Sequence, residues 1–516
     1  MNRTRLINSI ATNYDFIVIG GGATGLGIAL EASSRGYSVV LLEQSDFTKG
    51  TSSRSTKLVH GGVRYLAQGN IALVKEALRE RGLMKQNAPH LVKNQSFIIP
   101  AYKWWVQPFY TIGLTIYDLL SGRLSLGRSL PYSKKKTLKC IPTLKTKGLK
   151  GGVIYHDGQF DDARFGINLC QTIVEKGGIV LNYMKVTKLI KENNKVIGVK
   201  TVDQETKREL KIKAKHVINA TGIFIDDIIK MDIPNAKKMV CTSQGVHLVL
   251  DKKFVPNNYA IMIPKTRDGR VLFAVPWHNK VIVGTTDVKK ETAELEPIAL
   301  EEEINFILET AGRFLAIQPQ RSDVKSVFAG LRPLAMPKEG SLKTKEISRS
   351  HKIVISNAGL LSITGGKWTT YRKMGEDVIN RLTKNSNLKQ TTSNTKNLKI
   401  HGYKEQVNYN NPLSIYGSDE EKIIALAKSE NLEAYLSESL KIINAQVIWG
   451  ARFEMARTVE DILARRTRAL FLDAKESVRI APKVAQLLAK EFGYNKEWET
   501  NQISIFNNIA ANYILN

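Results

Sequence analysis

The chain has 516 residues, 43% of them hydrophobic and 24% charged. That is the balance of a globular protein of two or three domains and excludes a disordered or fibrous chain. Lys and Arg number 76 against 48 Asp and Glu, a formal charge of +28, so the molecule attracts anions: nucleic acid, acidic lipid headgroups or phosphorylated small molecules. Cys140, Cys170 and Cys241 lie far apart and form no paired motif, which argues against a disulfide framework or structural zinc and fits a reducing compartment.

Residues 1–13 hold Arg3 and Arg5 without an apolar core, so no secretory signal is expected. No apolar run reaches the ~18 residues of a membrane span. The nearest, Trp104 to Tyr117, is interrupted by Gln107, Pro108 and Gly113. Residues 14–19 read as a buried strand, followed by a glycine turn and a helix from about Thr24 to Ser34, stopped at Arg35-Gly36. Tyr37 to Leu42 is the next strand, which completes a βαβ unit. Asp161 to Lys176 reads as a helix stopped by Gly177-Gly178, and Ile179 to Val186 as a strand. Leu189 to Ala214 reads as a meander turning at Asn193-Asn194 and Asp203-Gln204, with His216 to Ala220 as a returning strand. Together these predict one parallel sheet assembled from separated pieces.

Between 240 and 340 the alternation at 245–250, 271–276 and 281–285 predicts an antiparallel, substrate-facing sheet. Ile353 to Ser356 and Leu361 to Thr364 return to the first domain. The polar run Thr391–Asn397 reads as a linker, and helical periodicity beyond 410, as in Val459 to Leu472, predicts a small helical domain.

Gly20-Gly21-Gly22-Ala23-Thr24-Gly25 satisfies GxGxxG directly after a strand and at the start of a helix. Gly20 permits the tight turn, Gly22 lets the backbone approach a pyrophosphate, and Gly25 lets helix and strand pack closely. The helix N-terminus offers unpaired N–H groups to that pyrophosphate, and Glu43, at the end of the second strand, can accept from ribose hydroxyls. FAD is preferred over NAD because the motif lies at the N-terminus and glycine clusters recur downstream. Ala220-Thr221-Gly222 ends a strand, and Gly365-Gly366-Lys367 precedes a helix over Trp368 to Lys384. That helix start could stabilise negative charge on a reduced flavin.

The loop Thr51 to Leu66 is dense in hydroxyls, glycine and cations. Within it Ser52, Ser53, Thr56, Lys57, Leu58 and His60 are expected cofactor contacts, joined by Val186. Here the chain resembles the FAD-dependent glycerol-3-phosphate dehydrogenases of the bacterial aerobic type. The resemblance is carried by residues 19–25, Ser-Thr-Lys-Leu-Val-His-Gly-Gly-Val-Arg-Tyr-Leu (55–66) and Ala-Pro-His-Leu (88–91). It continues through Asp-Asp-Ala-Arg (161–164), Asn-Ala-Thr-Gly (219–222), Gly-Thr-Thr-Asp-Val (284–288), Gly-Leu-Arg-Pro-Leu (330–334) and Gly-Gly-Lys-Trp-Thr-Thr-Tyr-Arg (365–372). The chain departs from the family at Glu31 (often Asp), Ile223-Phe224 (often Pro-Trp) and Gly375 (usually Ala).

The resemblance implies an α/β chain: a Rossmann-like FAD-binding domain from segments at about 14–90, 150–225 and 350–385, an antiparallel-sheet substrate domain at about 91–149 and 226–349, and a helical C-terminal domain at 400–516. It also implies that glycerol 3-phosphate loses a hydride from C2 to flavin N5 and a proton from its hydroxyl, giving dihydroxyacetone phosphate. Arg64, Arg332 and Lys367 fall on the motif positions that meet the substrate, Arg being suited to bidentate phosphate binding and Lys to a point charge. His60 and His247 are both candidates for the base, and Tyr65 and Thr369 add hydrogen bonds.

In the resembled enzymes the acceptor is a membrane quinone. Trp104, Trp105, Phe109 and Tyr110, bounded by Lys103 and Arg123, suit a bilayer interface, and the +28 charge suits an acidic membrane surface. A peripheral position on the cytoplasmic face of the cell membrane is expected, since no Asp-x-Asp-x-Asp-Gly calcium loop of the mitochondrial type occurs. Three other readings stand beside this one: an oxidase of the same fold that reduces oxygen, a basic RNA-associated flavoprotein, and an amine or hydroxy-acid oxidase. No aromatic-rich RNA-binding signature occurs, so no nucleic acid is expected. A homodimer is compatible with the sequence, which does not set the oligomeric state.

Overall fold

The computed structural model describes residues 1–66, 69–266, 269–336, 351–384 and 386–515, with Arg64 described by its backbone alone. Its first sheet runs Lys352–Ile355, Leu361–Thr364, Glu209–Asn219, Asn13–Ile19, Val39–Leu42, Ile179–Leu181. The last five strands are mutually parallel. Asn13–Ile19 is buried almost throughout, as a central parallel strand covered on both faces must be. The meander Met184–Glu192, Lys195–Asp203 turns at Asn193 and Asn194, both with positive φ, and pairs back onto Glu209–Asn219. Residues 209–219 form one continuous strand where the sequence pattern suggested a break near 215.

The second sheet is mostly antiparallel and runs Val288–Lys290, Val240–Asp251, Lys280–Gly284, Leu272–Trp277, Tyr259–Ile263, Val92–Ala101, Gly151–Phe160, Leu58–Val59. Val324–Ala335 pairs along nearly the whole of Val240–Asp251. Gly151–Phe160 and Leu58–Val59 thus belong to this sheet, although their segments were expected in the FAD domain. Gly151–Phe160 pairs with Val92–Ala101 on one side and with Leu58–Val59 on the other, the latter a partnership across ~100 residues that local pattern does not reveal.

Three helices, Ala23–Ser34, Asp162–Glu175 and Tyr371–Thr383, share the apolar cluster of the first sheet. Ala23–Ser34 crosses Tyr371–Thr383 at a point where Gly27 faces the Tyr371 carbonyl and Gly375 faces the Gly27 carbonyl; a Cβ at either glycine would strike backbone. Gly375, where the family usually has Ala, therefore buys the closest approach of the two helices. Glu31 pairs with Arg35 one turn on and accepts from the Thr395 hydroxyl.

That last contact corrects the linker reading of Thr391–Asn397. Arg35 donates to the Thr391 carbonyl at 3.0 Å, Asn394 to the Ser34 carbonyl at 2.8 Å, and Thr395 is buried. The run is thus tied to the helix beneath through Thr391, Asn394 and Thr395, while Thr392 and Asn397 face solvent.

The C-terminal helices Glu420–Ser429, Asn444–Phe453, Ala474–Phe492 and Lys496–Ala511 share one apolar cluster with Val249, Trp277, Ile282 and Phe328 of the second sheet. Val459 to Leu472, expected as a regular helix, contains a π-turn at Asp461–Arg466 before a short helix, Ala469–Leu472.

Near this junction His401 bonds Asp419 through Nε2 at 2.6 Å and Glu175 through Nδ1. Burial opposes its charge, but the two carboxylates outweigh burial and lift the imidazole to about 9. The stabilisation is complete below the ordinary value of 6.5 and disappears as pH rises through about 9. The melting temperature should therefore fall between pH 7 and 9 more steeply in the wild type than in His401→Gln. Equal slopes would exclude this contribution.

Candidate active site

The cofactor end of the site is built from backbone. Asn13–Ile19 ends at Gly20, whose φ of +108° a side chain would strain. A Cβ at Gly20 would also collide with the Ala220 carbonyl, and one at Gly25 with the carbonyl of Gly20. The turn, the helix start and the end of Glu209–Asn219 thus meet backbone to backbone. Ala23 N–H donates to Ser52 Oγ at 2.9 Å. Glu43 accepts from Gly21 N–H at 2.7 Å and Ser45 N–H at 2.9 Å, which holds its carboxylate at the turn. A cavity of about 700 Å³ opens at these carboxyl ends of the parallel strands, the usual place for a dinucleotide.

The far end of the cavity is built by strand register. Ser243, Gly245 and His247 alternate along one face of Val240–Asp251, opposite Arg332, Gly330 and Phe328 of Val324–Ala335. Arg332 lies over Gly245, where a Cβ would strike its guanidinium. It donates to the Gln244 carbonyl at 3.2 Å, the Thr286 carbonyl at 3.1 Å and Thr285 Oγ1 at 3.1 Å. The His247 ring stacks on its cross-strand neighbour Phe328 with centroids 4.9 Å apart, and Nε2 lies 2.9 Å from Thr56 Oγ1. Burial, with the positive charges of Lys57 and Arg332, holds His247 well below the usual imidazole range, so the ring is neutral near pH 7. Lys367 Nζ lies 4.2 Å from the Tyr65 ring centroid, and His60 N–H donates to Thr369 Oγ1 at 3.3 Å.

Gly20, Gly22, Ala23, Thr24, Glu43, Ser52, Thr56, Leu58, His60, Tyr65, Val186, Ala220, Gly222, His247, Arg332, Gly366, Lys367 and Thr369 all line this one cavity. Three expected contacts do not. Gly25 packs beneath the turn. Ser53 is buried, and its carbonyl accepts from Lys57 Nζ and Arg468 Nη2. Lys57 is the clearest correction. Its φ of +62° turns the side chain inward, where Nζ bonds Asp162 at 2.7 Å beneath the rings of Trp277, Phe328 and Phe471. Burial there pushes its ammonium down to about 7, against the pull of Asp162. The Arg64 side chain lies outside the described residues. Gly365-Gly366-Lys367 opens not on an α-helix but on a 3₁₀ turn, Trp368–Thr370, before Tyr371–Thr383.

The sequence reading passed over Lys49, Arg54 and Lys185, which also line the cavity. Arg54 donates to the Ala329 carbonyl at 3.2 Å and pairs with Glu296 at 2.7 Å. With Arg332 and Lys367 these make five cations on the lining against the acids Glu43 and Asp227, and Lys49 and Arg54 are in turn paired with Glu460 and Glu296. Among the described residues no cluster of His, Cys, Asp and Glu could hold a metal ion.

A glycine cradle for a pyrophosphate that leads into a cationic chamber fits FAD with an anionic substrate. The class is confirmed by the model of the FAD dependent oxidoreductase family, which matches residues 15–372; that of the C-terminal domain of alpha-glycerophosphate oxidase matches 361–499. The mitochondrial glycerol-3-phosphate dehydrogenase of Schizosaccharomyces pombe is 38% identical over 94% of this chain and 85% of its own length. The human one is 38% identical over 95% and 72%. The solved glycerol-3-phosphate dehydrogenase from Bacillus halodurans, complexed with FAD, superposes with a TM-score of 0.82 at 30% identity, covering 99% of this chain and 98% of that one. The chain belongs to the family of FAD-dependent glycerol-3-phosphate dehydrogenases. An L-alpha-glycerophosphate oxidase from Mycoplasma pneumoniae, at 16% identity and a TM-score of 0.57, shares the fold.

Proposed function

We propose that the chain oxidises sn-glycerol 3-phosphate to dihydroxyacetone phosphate and delivers the electrons to a quinone at an acidic membrane surface. The observation that carries the substrate is the chamber in which Arg332, Lys367 and neutral His247 line one wall system. Bound FAD supplies the acceptor for the hydride lost from C2. The chain would hold FAD with the Gly20–Gly22 turn, Thr24, Glu43, Ser52, Thr56, Val186, Ala220 and Gly366.

Arg332, its terminal nitrogens bonded within the protein, presents a fixed positive charge for the phosphate and Lys367 a point charge; Arg64 is assigned to the same anion through the family motif. Their summed charge favours the alkoxide of C2 over the alcohol. His247, neutral near pH 7 and held by the Thr56 hydroxyl at Nε2, has a lone pair for that proton, although the burial and cations that keep it neutral weaken it as a base. His60, on the same cavity, is the alternative base. Anaerobic addition of glycerol 3-phosphate should bleach the flavin absorbance, with recovery on adding a soluble quinone faster than on admitting oxygen. A flavin that stays oxidised would sink the substrate assignment, and faster recovery with oxygen would make the protein an oxidase.

The membrane part rests on helix Val106–Ser121. Trp105, Phe109, Ile112, Ile116 and Leu119 follow helical spacing along one face and are exposed, Leu119 by 75%, while Trp104 beside them is 80% exposed. The opposite face, at Leu114 and Tyr117, is buried. Among the described residues no helix is long and apolar enough to cross a membrane, so the face would lie in the interface. The double variant Phe109→Ser, Leu119→Ser should sediment with anionic vesicles at least about tenfold less than the wild type. Undiminished sedimentation would remove this helix from the proposal.

A further inference from the structure

The apolar cluster shared with the second sheet is enough to attach the C-terminal helices, yet their most deeply buried charges point elsewhere. Arg466 binds both oxygens of Asp46, at 2.7 and 2.9 Å, and Arg465 bonds the same carboxylate. Arg465 also pairs with Glu460 and Asp461, each at 2.7 Å, and Glu460 in turn holds Lys49 Nζ at 2.6 Å. Arg468 donates to the Ser53 carbonyl at 2.9 Å and to Asp162 at 3.1 Å. At the end of the chain the Tyr513 hydroxyl bonds Glu296, the partner of Arg54. Asp46, Arg465, Arg466 and Arg468 are all at most 2% exposed.

These contacts fall on both sides of one short stretch. Thr48 to Ser52 line the cavity, and Ser52 bonds the first N–H of the cofactor helix. That loop has one 3₁₀ turn, Thr51–Ser53, and a few turn bonds such as Lys49 N–H to the Asp46 carbonyl and Ser53 N–H to the Thr48 carbonyl, and the C-terminal side chains add to these the bonds that anchor it from outside. Buried, multiply bonded guanidinium groups are rigid because any displacement strands a charge away from water.

We propose that the C-terminal domain is a positioning element for the cofactor. Arg465, Arg466 and Arg468, with Glu460, hold the 46–53 loop in the conformation that presents Ser52 and the Gly20–Gly22 turn to FAD. The proposal rests on the cavity being the FAD site, and the two fail separately. A wild-type apoprotein that takes up no FAD would overturn the site and the clamp together, whereas variants that bind FAD as the wild type does would overturn the clamp alone.

The test uses the full chain, stripped of flavin and titrated with FAD while flavin fluorescence is followed, for the wild type, Arg466→Lys and Glu460→Gln. Apoprotein melting is recorded in parallel by circular dichroism. The clamp predicts an FAD dissociation constant raised about tenfold or more in both variants, with the apoprotein still melting cooperatively and KM for glycerol 3-phosphate at saturating FAD unchanged. A merely structural role would lower the apoprotein melting temperature and leave the FAD dissociation constant of the folded protein where it was, and that result overturns the proposal. Should Arg466→Lys fail to fold, Glu460→Gln at the edge of the network decides by the same two readouts.

Discussion

Arg332→Met lowers kcat/KM for glycerol 3-phosphate by about 10²–10³-fold and leaves the flavin absorbance and FAD affinity of the protein intact. The size follows from how the guanidinium is held. Hydrogen bonds to the Gln244 and Thr286 carbonyls and to the Ser243 and Thr285 hydroxyls fix its plane, and Asp287 stands 3.7 Å away. A guanidinium fixed in this way holds its charge toward the phosphate without further loss of freedom, which a flexible ammonium does not. Arg332→Lys should therefore recover only part of the loss. Gly245→Ala should fail in the same direction, because its Cβ enters the space of the guanidinium. Full turnover by Arg332→Met would take Arg332 out of the substrate site and leave the phosphate to Lys367.

Gly25→Ala should yield a folded but colourless protein. Its new methyl group would occupy the position of the Gly20 carbonyl oxygen. Gly20 cannot retreat, since it packs on the Ala220 backbone, and Ala220 N–H is bonded to the Ile19 carbonyl at 2.9 Å. The strain must then open the turn itself, and the free N–H groups that would face a pyrophosphate lose their common direction. We expect the FAD dissociation constant to rise by about 10²-fold or more, given that an overpacked core position costs about 1–3 kcal/mol before any ligand contact is lost. Gly36→Ala is the control. A Cβ there meets nothing within 4 Å, and only its φ of +83° is disfavoured, so it should cost about 1 kcal/mol of stability and keep the yellow colour. Retention of flavin by Gly25→Ala would show that the turn can relax.

The parts of this protein legible in the sequence were those with short-range causes. Gly20 to Gly25 between an apolar run and a helix, the Asn193-Asn194 turn, and the helix at Asp162–Glu175 are all written within about twenty residues of chain, and periodicity and turn chemistry reach that far. The resemblance across residues 14 to 380 then supplied Arg332 and Lys367, and imidazole chemistry offered His247; all three line one cavity. What tertiary structure alone decided depends on register and on partners far away. Thr56 and Lys57 are neighbours in one polar loop, yet Thr56 bonds His247 while a single positive φ sends Lys57 down to Asp162. Thr391–Asn397 reads as solvated until Arg35 and Glu31 are seen beneath it. Arg465 and Arg466 look like an exposed basic pair, and their burial follows from Asp46, more than four hundred residues earlier in the chain. Sequence records which groups can ionise or bond; only the fold decides whether water or another residue satisfies them.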